Sequence, residues 1–475
     1  MLHFSVNRIL WVLTIGVIIL LILPRLIQDG MFLDGMLYSA VAHNFAKGHG
    51  TFWFPHFSYA HHANFHEQPP LMFALQGWFF KILGDSMYVE RFYSFLFALL
   101  NAFLIHKIWR KIFQNDVETQ KISWLPVLLW IIIPVCFWGF ANNIEENTMS
   151  FFCLLSVLFS LKAISENKYV WIFISAIAIV LAVLTKGVQG SFVLMFPFFW
   201  SLFNSNKLKL SKGILFSAIL FFVPVIIFLL MLLDDSIRES LSRYFLNRVV
   251  NSIQNVSNVE NRFYLLGRLF VELSVPLALA LIIGIINKRQ NKSVDFKQYK
   301  NEALAFSLLG LSGSLPLMIT LEQRGFYLNN SFPYFALAIA LIIVPKIKLL
   351  ITDIESNSRI KKIVLMISFV VLISGIVATA ANFGKTGRDA DKLHDVYLIG
   401  KNIPYGSIVS IPHFMHNEWT LQCYFIRYFY ISLDPKNNQH EYFLKYKKDD
   451  VEIPDGYEML NLSTISFDVY KKAHS

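Results

Sequence analysis

The chain has 475 residues, of which 55% are hydrophobic, 16% aromatic and only 16% charged, with a mean hydropathy of +0.50. A soluble protein would carry about 25% charged residues, so a soluble globular enzyme is excluded and a polytopic α-helical membrane protein is expected. The formal net charge of +10 fits loops held in the cytoplasm rather than a nucleic-acid partner.

Apolar windows long enough to cross a bilayer recur along most of the sequence. The first run, 9–23, is followed by Pro24-Arg25 and by no small-residue cleavage site, so it is expected to be a retained span rather than a signal peptide. About eleven spans follow from the windows 9–26, 88–109, 123–142, 147–164, 170–185, 188–203, 213–233, 266–287, 303–320, 329–345 and 363–381. Alternate loops are basic, for instance Lys107, Arg110, Lys111 and Lys121, then Lys207, Lys209 and Lys212, then Lys288, Arg289, Lys292, Lys297 and Lys300. The positive-inside rule puts these loops and the N-terminus in the cytoplasm, and an odd span count then exports the C-terminus.

Two regions lie outside this pattern. The loop 27–87 is expected to be external, with amphipathic helices at 34–47 and 70–83, opened or closed by Pro69-Pro70, Gly48 and Gly84, and lying flat in the outer interface. The tail 382–475 is charged and mixed, with strand-like pieces at 407–412, 441–446 and 466–472 and helical ones at 389–400 and 415–429. A membrane domain of 1–381 and a small extracytoplasmic α/β domain of 382–475 are therefore expected. Cys136, Cys153 and Cys423 have neither metal-ligand spacing nor a disulfide framework.

The ionisable residues of the external side carry the chemistry. Asp34 stands where a helix N-cap would, and Tyr38 lies one turn later on the same edge. Glu67-Gln68 precede Pro69-Pro70, where a carboxylate is favoured by the helix dipole whether or not it does chemistry. Glu145 and Glu146 fall in a tight hairpin and read either as solvated acids or as site residues. Lys186 lies in an apolar hairpin, and Arg324 and Tyr327 in 321–334; snorkelling is the plain alternative for the two cations. Acids and cations from five places thus fall on one side of the membrane. The span interiors read as nearly free of charge, with no broken helix of the kind a transporter uses.

The segments "FLDGMLYSAVAHNFAKG", "HEQPPL", "EENTMSFF", "LTKG" and "RGFYLNNSFP", in this order, resemble the GT-C membrane glycosyltransferases, in particular the family 39 protein mannosyltransferases and the bacterial aminoarabinose transferases acting on lipid A. The likeness covers about residues 1–345. It implies transfer of a sugar from a polyprenyl-phosphate donor to a protein, lipid A or another envelope glycan, on the outer face of the cytoplasmic membrane. By the resemblance, Asp34 matches the catalytic base and Glu146 the second acid, with Glu145 and Tyr38 in support. Lys186, Arg324, Tyr327 and Gln68 match positions facing the donor phosphate. Glu67 matches a metal-ligand position, so a divalent metal is the one cofactor the resemblance raises. Two departures stand out. Gln68 replaces a lysine, and no His occurs between His106 and His394, so a metal on Glu67 would need His61, His62 or His66. The rival readings are a ligase using a lipid-diphosphate donor, a lipid-linked sugar transporter or flippase, and a non-catalytic assembly factor.

Overall fold

The computed structural model describes residues 5–251, 256–289 and 297–473; Lys292 of the basic loops lies outside the described residues. The chain forms two compact units, one of Met1–Ile27, Ser94–Ala141 and Glu145–Phe383, the other of Gln28–Tyr93, Asn142–Ile144 and Gly384–Ser475.

The first unit is helical. Among the described residues of the chain, nine helices are long and apolar enough to cross a membrane: Val6–Leu26, Tyr88–Ile112, Glu145–Glu166, Tyr169–Lys186, Leu210–Met231, Tyr264–Ile285, Lys300–Ile319, Phe332–Ser356 and Ser358–Asn382. They match nine of the eleven expected windows. The other two explain the difference in count. The window 123–142 is broken, with Val117–Ile131 and Pro134–Ala141 meeting at 79°. Pro134 cannot donate a backbone hydrogen bond and its ring crowds the preceding turn. The window 188–203 is a 3-10 turn, Val188–Met195, run into a short helix, Phe196–Phe203.

The break corrects the expectation of unbroken, uncharged spans. The Val135 N–H, orphaned at the start of the second half-helix, donates to Glu272 Oε2 at 2.9 Å. Glu272 comes from the middle of another span, is buried, and pairs with Arg268 at 2.5 Å. A second departure is small: Pro24 is tolerated inside the last turn of the first helix, which ends at Leu26.

The second unit joins the long loop to the tail. Its loop helices are Leu33–Lys47 and Leu71–Leu83, close to the expected positions. Only the second keeps an exposed apolar edge, at Trp78, Ile82 and Leu83. The first is mostly buried against protein, from Met36 through Asn44 with Leu37 half-covered, which corrects the expectation that both lie flat in lipid. The tail carries helices Ala390–Asn402 and Trp419–Phe429 and a five-stranded sheet. Its strands are β1 (Ile408–Ser410), β2 (Ser432–Asp434), β3 (Tyr442–Tyr446), β4 (Tyr457–Met459) and β5 (Phe467–Lys472), in the order β2-β1-β3-β5-β4. β1 is parallel to β2 and β3, while β5 is antiparallel to β3 and β4. β2 and β4, three residues each, carry too short a pattern to be read from sequence.

Two buried networks bind loop to tail. The Asp29 carboxylate accepts from the Tyr397 and Tyr428 hydroxyls at 2.6 and 2.9 Å. Glu90 is gripped by Arg91 at 3.1 Å and by Arg427, from the tail, at 2.9 Å. The tail, expected as a domain of its own from 382, shares its compact unit with residues 28–93.

Candidate active site

The strongest cluster of charges lies in the first unit and grows out of one helical hairpin. Glu145–Glu166 and Tyr169–Lys186 are joined by two residues, with Asn167 in the left-handed region at φ 55°. So short a turn makes neighbouring helices antiparallel and returns residue 186 to the level of residues 145 and 146. Lys186 Nζ is 2.9 Å from Glu146 Oε1 and 3.3 Å from Glu145 Oε2. All three side chains are buried, both glutamates at 0% exposure. Carboxylates in a first turn and an ammonium in a last turn are each favoured by their helix dipole. The reading of Glu145 and Glu146 as solvated hairpin acids is therefore corrected: they open a helix and face a buried cation.

Three irregular segments close around this group. Gly187 ends the second helix at φ +88°, and a Cβ there would collide with the Tyr244 hydroxyl. That explains why glycine follows the lysine. Tyr244 donates to the Lys186 carbonyl at 3.2 Å, from a π-helical turn, Tyr244–Val250, a form that is often found at functional sites. The Tyr327 ring receives Lys186 Nζ at 5.2 Å from its centroid, a cation–π distance. Gln189 donates to the Tyr327 carbonyl at 3.0 Å, tying the two motifs together. Arg248, one turn beyond Tyr244, grips Glu322 with two bonds of 2.9 and 2.5 Å. Burial pushes the Tyr327 phenol up to about 12 and raises the Tyr244 phenol too, so both remain proton donors near neutrality.

The structure thus joins Glu145, Glu146, Lys186 and Tyr327. It adds Tyr244, Arg248 and Glu322, which sequence reasoning missed. Arg248 was visible only as one of several arginines in 234–265; the i, i+4 spacing of Tyr244 and Arg248 was the available signal. Arg324, by contrast, is exposed, at the extended residue before the Gly325–Asn330 turn.

The remaining candidates belong to the second unit. Asp34 lies in the first turn of Leu33–Lys47, whose N-cap is Phe32. This corrects the cap reading: Asp34 is inside the helix and half-buried. The Phe32 N–H donates instead to Asn142 Oδ1 at 3.1 Å. Asn143 donates to Ser39 Oγ at 3.1 Å and accepts from Gln76 at 3.1 Å, fixing the helix. Asp34 lies close enough to Cys423 for its charge to add to the burial that raises that thiol. Tyr38 is buried one turn later with its ring 5.8 Å from Phe73. Glu67 and Gln68 are half-buried before Pro69, and the helix begins at Leu71 with Pro70 as its N-cap.

The residues around Glu67 do not fit a metal. Among the described residues no three His, Cys, Asp or Glu side chains come together as a metal-binding group. His66 packs edge-on against Phe54, and His61 against His416 and Trp419.

Residues 67–230 match the model of the dolichyl-phosphate-mannose-protein mannosyltransferase family. No curated protein sequence matches the chain. Among solved structures, the crystal structure of ArnT from Cupriavidus metallidurans bound to undecaprenyl phosphate is similar over 99% of this chain and 97% of that one, with a TM-score of 0.66 at 13% identity. Its apo state gives a TM-score of 0.66 at 13% identity over 98% of both chains. The apo oligosaccharyltransferase of Archaeoglobus fulgidus gives 0.55 at 12% identity, over 94% of this chain and 70% of that one. The likeness read from the five motifs is upheld: this multi-span membrane protein has the GT-C glycosyltransferase fold and carries, in residues 67–230, the sequence signature of the protein mannosyltransferases.

Proposed function

We propose that the protein transfers a sugar from a polyprenyl-phosphate carrier to an acceptor on the outer face of the cytoplasmic membrane. The observation that carries this reading is the buried Glu145–Glu146–Lys186–Tyr327 cluster, assembled from three of the resembling motifs on the fold of a protein solved with undecaprenyl phosphate bound.

In the reaction an acceptor hydroxyl attacks the anomeric carbon, the bond from that carbon to the phosphate oxygen breaks, and polyprenyl phosphate leaves with the electron pair. The acceptor proton goes to Asp34, a step typically worth ~10²–10⁴-fold. Where the acceptor is itself a phosphate, no proton is removed and Asp34 orients it. Exposed Arg324 suits bidentate contact with the leaving phosphate. Lys186 already binds two carboxylates, so its part is to hold Glu145 and Glu146 in position as much as to face phosphate. The phenol of Tyr327, protonated near neutrality, offers the phosphate a neutral hydrogen bond. Hexosyl or pentosyl transfer and protein, lipid A or glycan acceptors all fit this chemistry, and no metal step is part of it.

A lipid-linked sugar transporter is the second reading, favoured by the span broken at 79° beside buried Glu272, since broken helices mark transporter sites. Turnover separates the two. Membranes with wild type or Asp34→Asn, matched for expression, are followed by mass spectrometry of lipid-linked sugars and free polyprenyl phosphate. Consumption of the donor by wild type alone is the expected result. Consumption by neither, with donor still crossing the bilayer intact, would overturn the transferase in favour of the transporter.

A further inference from the structure

A second concentration of polar rings lies in the loop–tail unit and has no part in the site above. Tyr430, at the left-handed end of the Trp419–Phe429 helix, is buried and surrounded by rings. His49 stacks on it at 4.0 Å with 13° between planes, Tyr405 stacks at 5.9 Å, and Tyr59 meets it edge-on at 5.6 Å. His56 stands 5.1 Å from Tyr59 and 5.9 Å from Tyr430. Tyr59 and Tyr405 are 55% and 57% exposed. A hydrophobic core has no use for two tyrosines turned half into solvent on either flank of a buried third.

The polar atoms point the same way. His56 is 7% exposed, and its Nδ1 is 2.8 Å from the Ala63 carbonyl. That contact makes Nδ1 the protonated nitrogen and leaves Nε2 an acceptor. Nε2 is buried with no partner among the described residues, a costly state unless something else supplies a donor. Burial and the His56 ring hold His49 below the usual imidazole range, so it is neutral at pH 7. The nearby Lys47 and Asp85 neutralise each other at 2.5 Å. The surface is therefore aromatic, hydrogen-bonding and nearly uncharged.

We infer that Tyr59, Tyr405 and His56 form a glycan-binding subsite, in which tyrosine faces stack on the C–H faces of sugar rings and His56 Nε2 accepts from a sugar hydroxyl. Flat apolar faces edged with hydrogen-bonding groups are what a pyranose presents, and aromatic stacking is tolerant of which ring it receives. An anionic headgroup would want cations here. The inference rests on the transferase reading and narrows its acceptor to one bearing a glycan. The ring cluster follows the C-terminal end of the helix that carries Asp34 near its start, so it lies roughly 20 Å from Asp34, the rise from Asp34 to Lys47 at about 1.5 Å per residue. An acceptor spanning that distance is several sugars long.

The test uses the full chain in nanodiscs without donor. Saturation-transfer NMR with maltohexaose, chitohexaose and isomaltohexaose is expected to show binding of at least one, weakened at least tenfold in Tyr59→Ala/Tyr405→Ala and kept in Tyr59→Phe/Tyr405→Phe. The measurement involves neither donor nor turnover, so a failed transferase reading leaves this result distinct. Absence of binding for all three, or equal binding by the double alanine variant, would overturn the inference.

Discussion

Each unit buries a carboxylate–cation network, and these two are built in opposite ways. In the membrane unit, two carboxylates, Glu145 and Glu146, share the single ammonium of Lys186. In the loop–tail unit, one carboxylate, Glu90, is shared by the guanidiniums of Arg91 and Arg427. The guanidiniums spend further donors on backbone carbonyls: Arg91 on Gln28 and Met87, Arg427 on Asp85 and Ser86. A planar five-donor fork of this kind suits a structural clasp. The lysine has a compact charge and meets aromatic rings and irregular turns rather than carbonyls. The contrast teaches that burial of charge alone does not mark a reaction centre; what the charge faces does.

The largest expected effect separates chemistry from structure. Asp34→Asn should lower transfer by ~10²–10⁴-fold with little change in thermal stability in detergent, because Asp34 neither caps its helix nor is fully buried. A stability loss as large as that of the networks would return Asp34 to a structural role.

Lys186→Met leaves two buried carboxylates without their ammonium and should cost about 3–5 kcal/mol of stability, read as a lowered unfolding temperature. Adding Glu145→Gln and Glu146→Gln should recover much of the stability but none of the activity. Recovery of both would make the cluster a clasp like its counterpart. Arg427→Met should destabilise by about 3 kcal/mol, with hydrogen exchange rising in the tail helices before the membrane spans. Gly187→Ala should cost roughly 1–3 kcal/mol, since the left-handed turn abuts Tyr244; pairing it with Tyr244→Phe tests that contact.

The smallest effect is acid sensitivity of the loop–tail unit. Burial and the Arg427 charge lower His43 to about 4, and burial with His416 lowers His61 to about 4. Each imidazole therefore binds its proton more readily unfolded, near 6.5, than folded. Their contribution is full above pH 6.5 and is lost as pH falls toward 4. Proteolysis of the tail from pH 7.5 to 4.5 should accelerate only below about 6.5, and His43→Gln should flatten the profile.

Much of the cluster was legible as separate words. "EENT", "LTKG" and "RGFYLNN" each flagged an ionisable or aromatic residue beside apolar sequence, where charge is expensive and so carries information. Their pairing was not legible. Lys186 read as a partner for phosphate, yet its nearest groups are Glu145 and Glu146. Glu272 was missed because a lone acid inside an apolar window barely lowers the window's mean, and its partner Val135 N–H exists only once Pro134 breaks a helix 137 residues earlier. Glu90-Arg91 at the mouth of a span was a fair signal, but Arg427 lay in a tail whose sequence named no chemistry.

The sequence by itself determined where nine spans run, where the loop helices stop, and three of the five tail strands. Those are local matters of length, period and turn residues, set by the backbone's need to satisfy its own hydrogen bonds. Tertiary structure alone decided that the first loop and the tail share a core, that one span breaks, and which charge meets which. Those outcomes depend on how far a two-residue turn carries a helix back and on which distant backbone group is left unsatisfied, and neither quantity is written in any one stretch of chain.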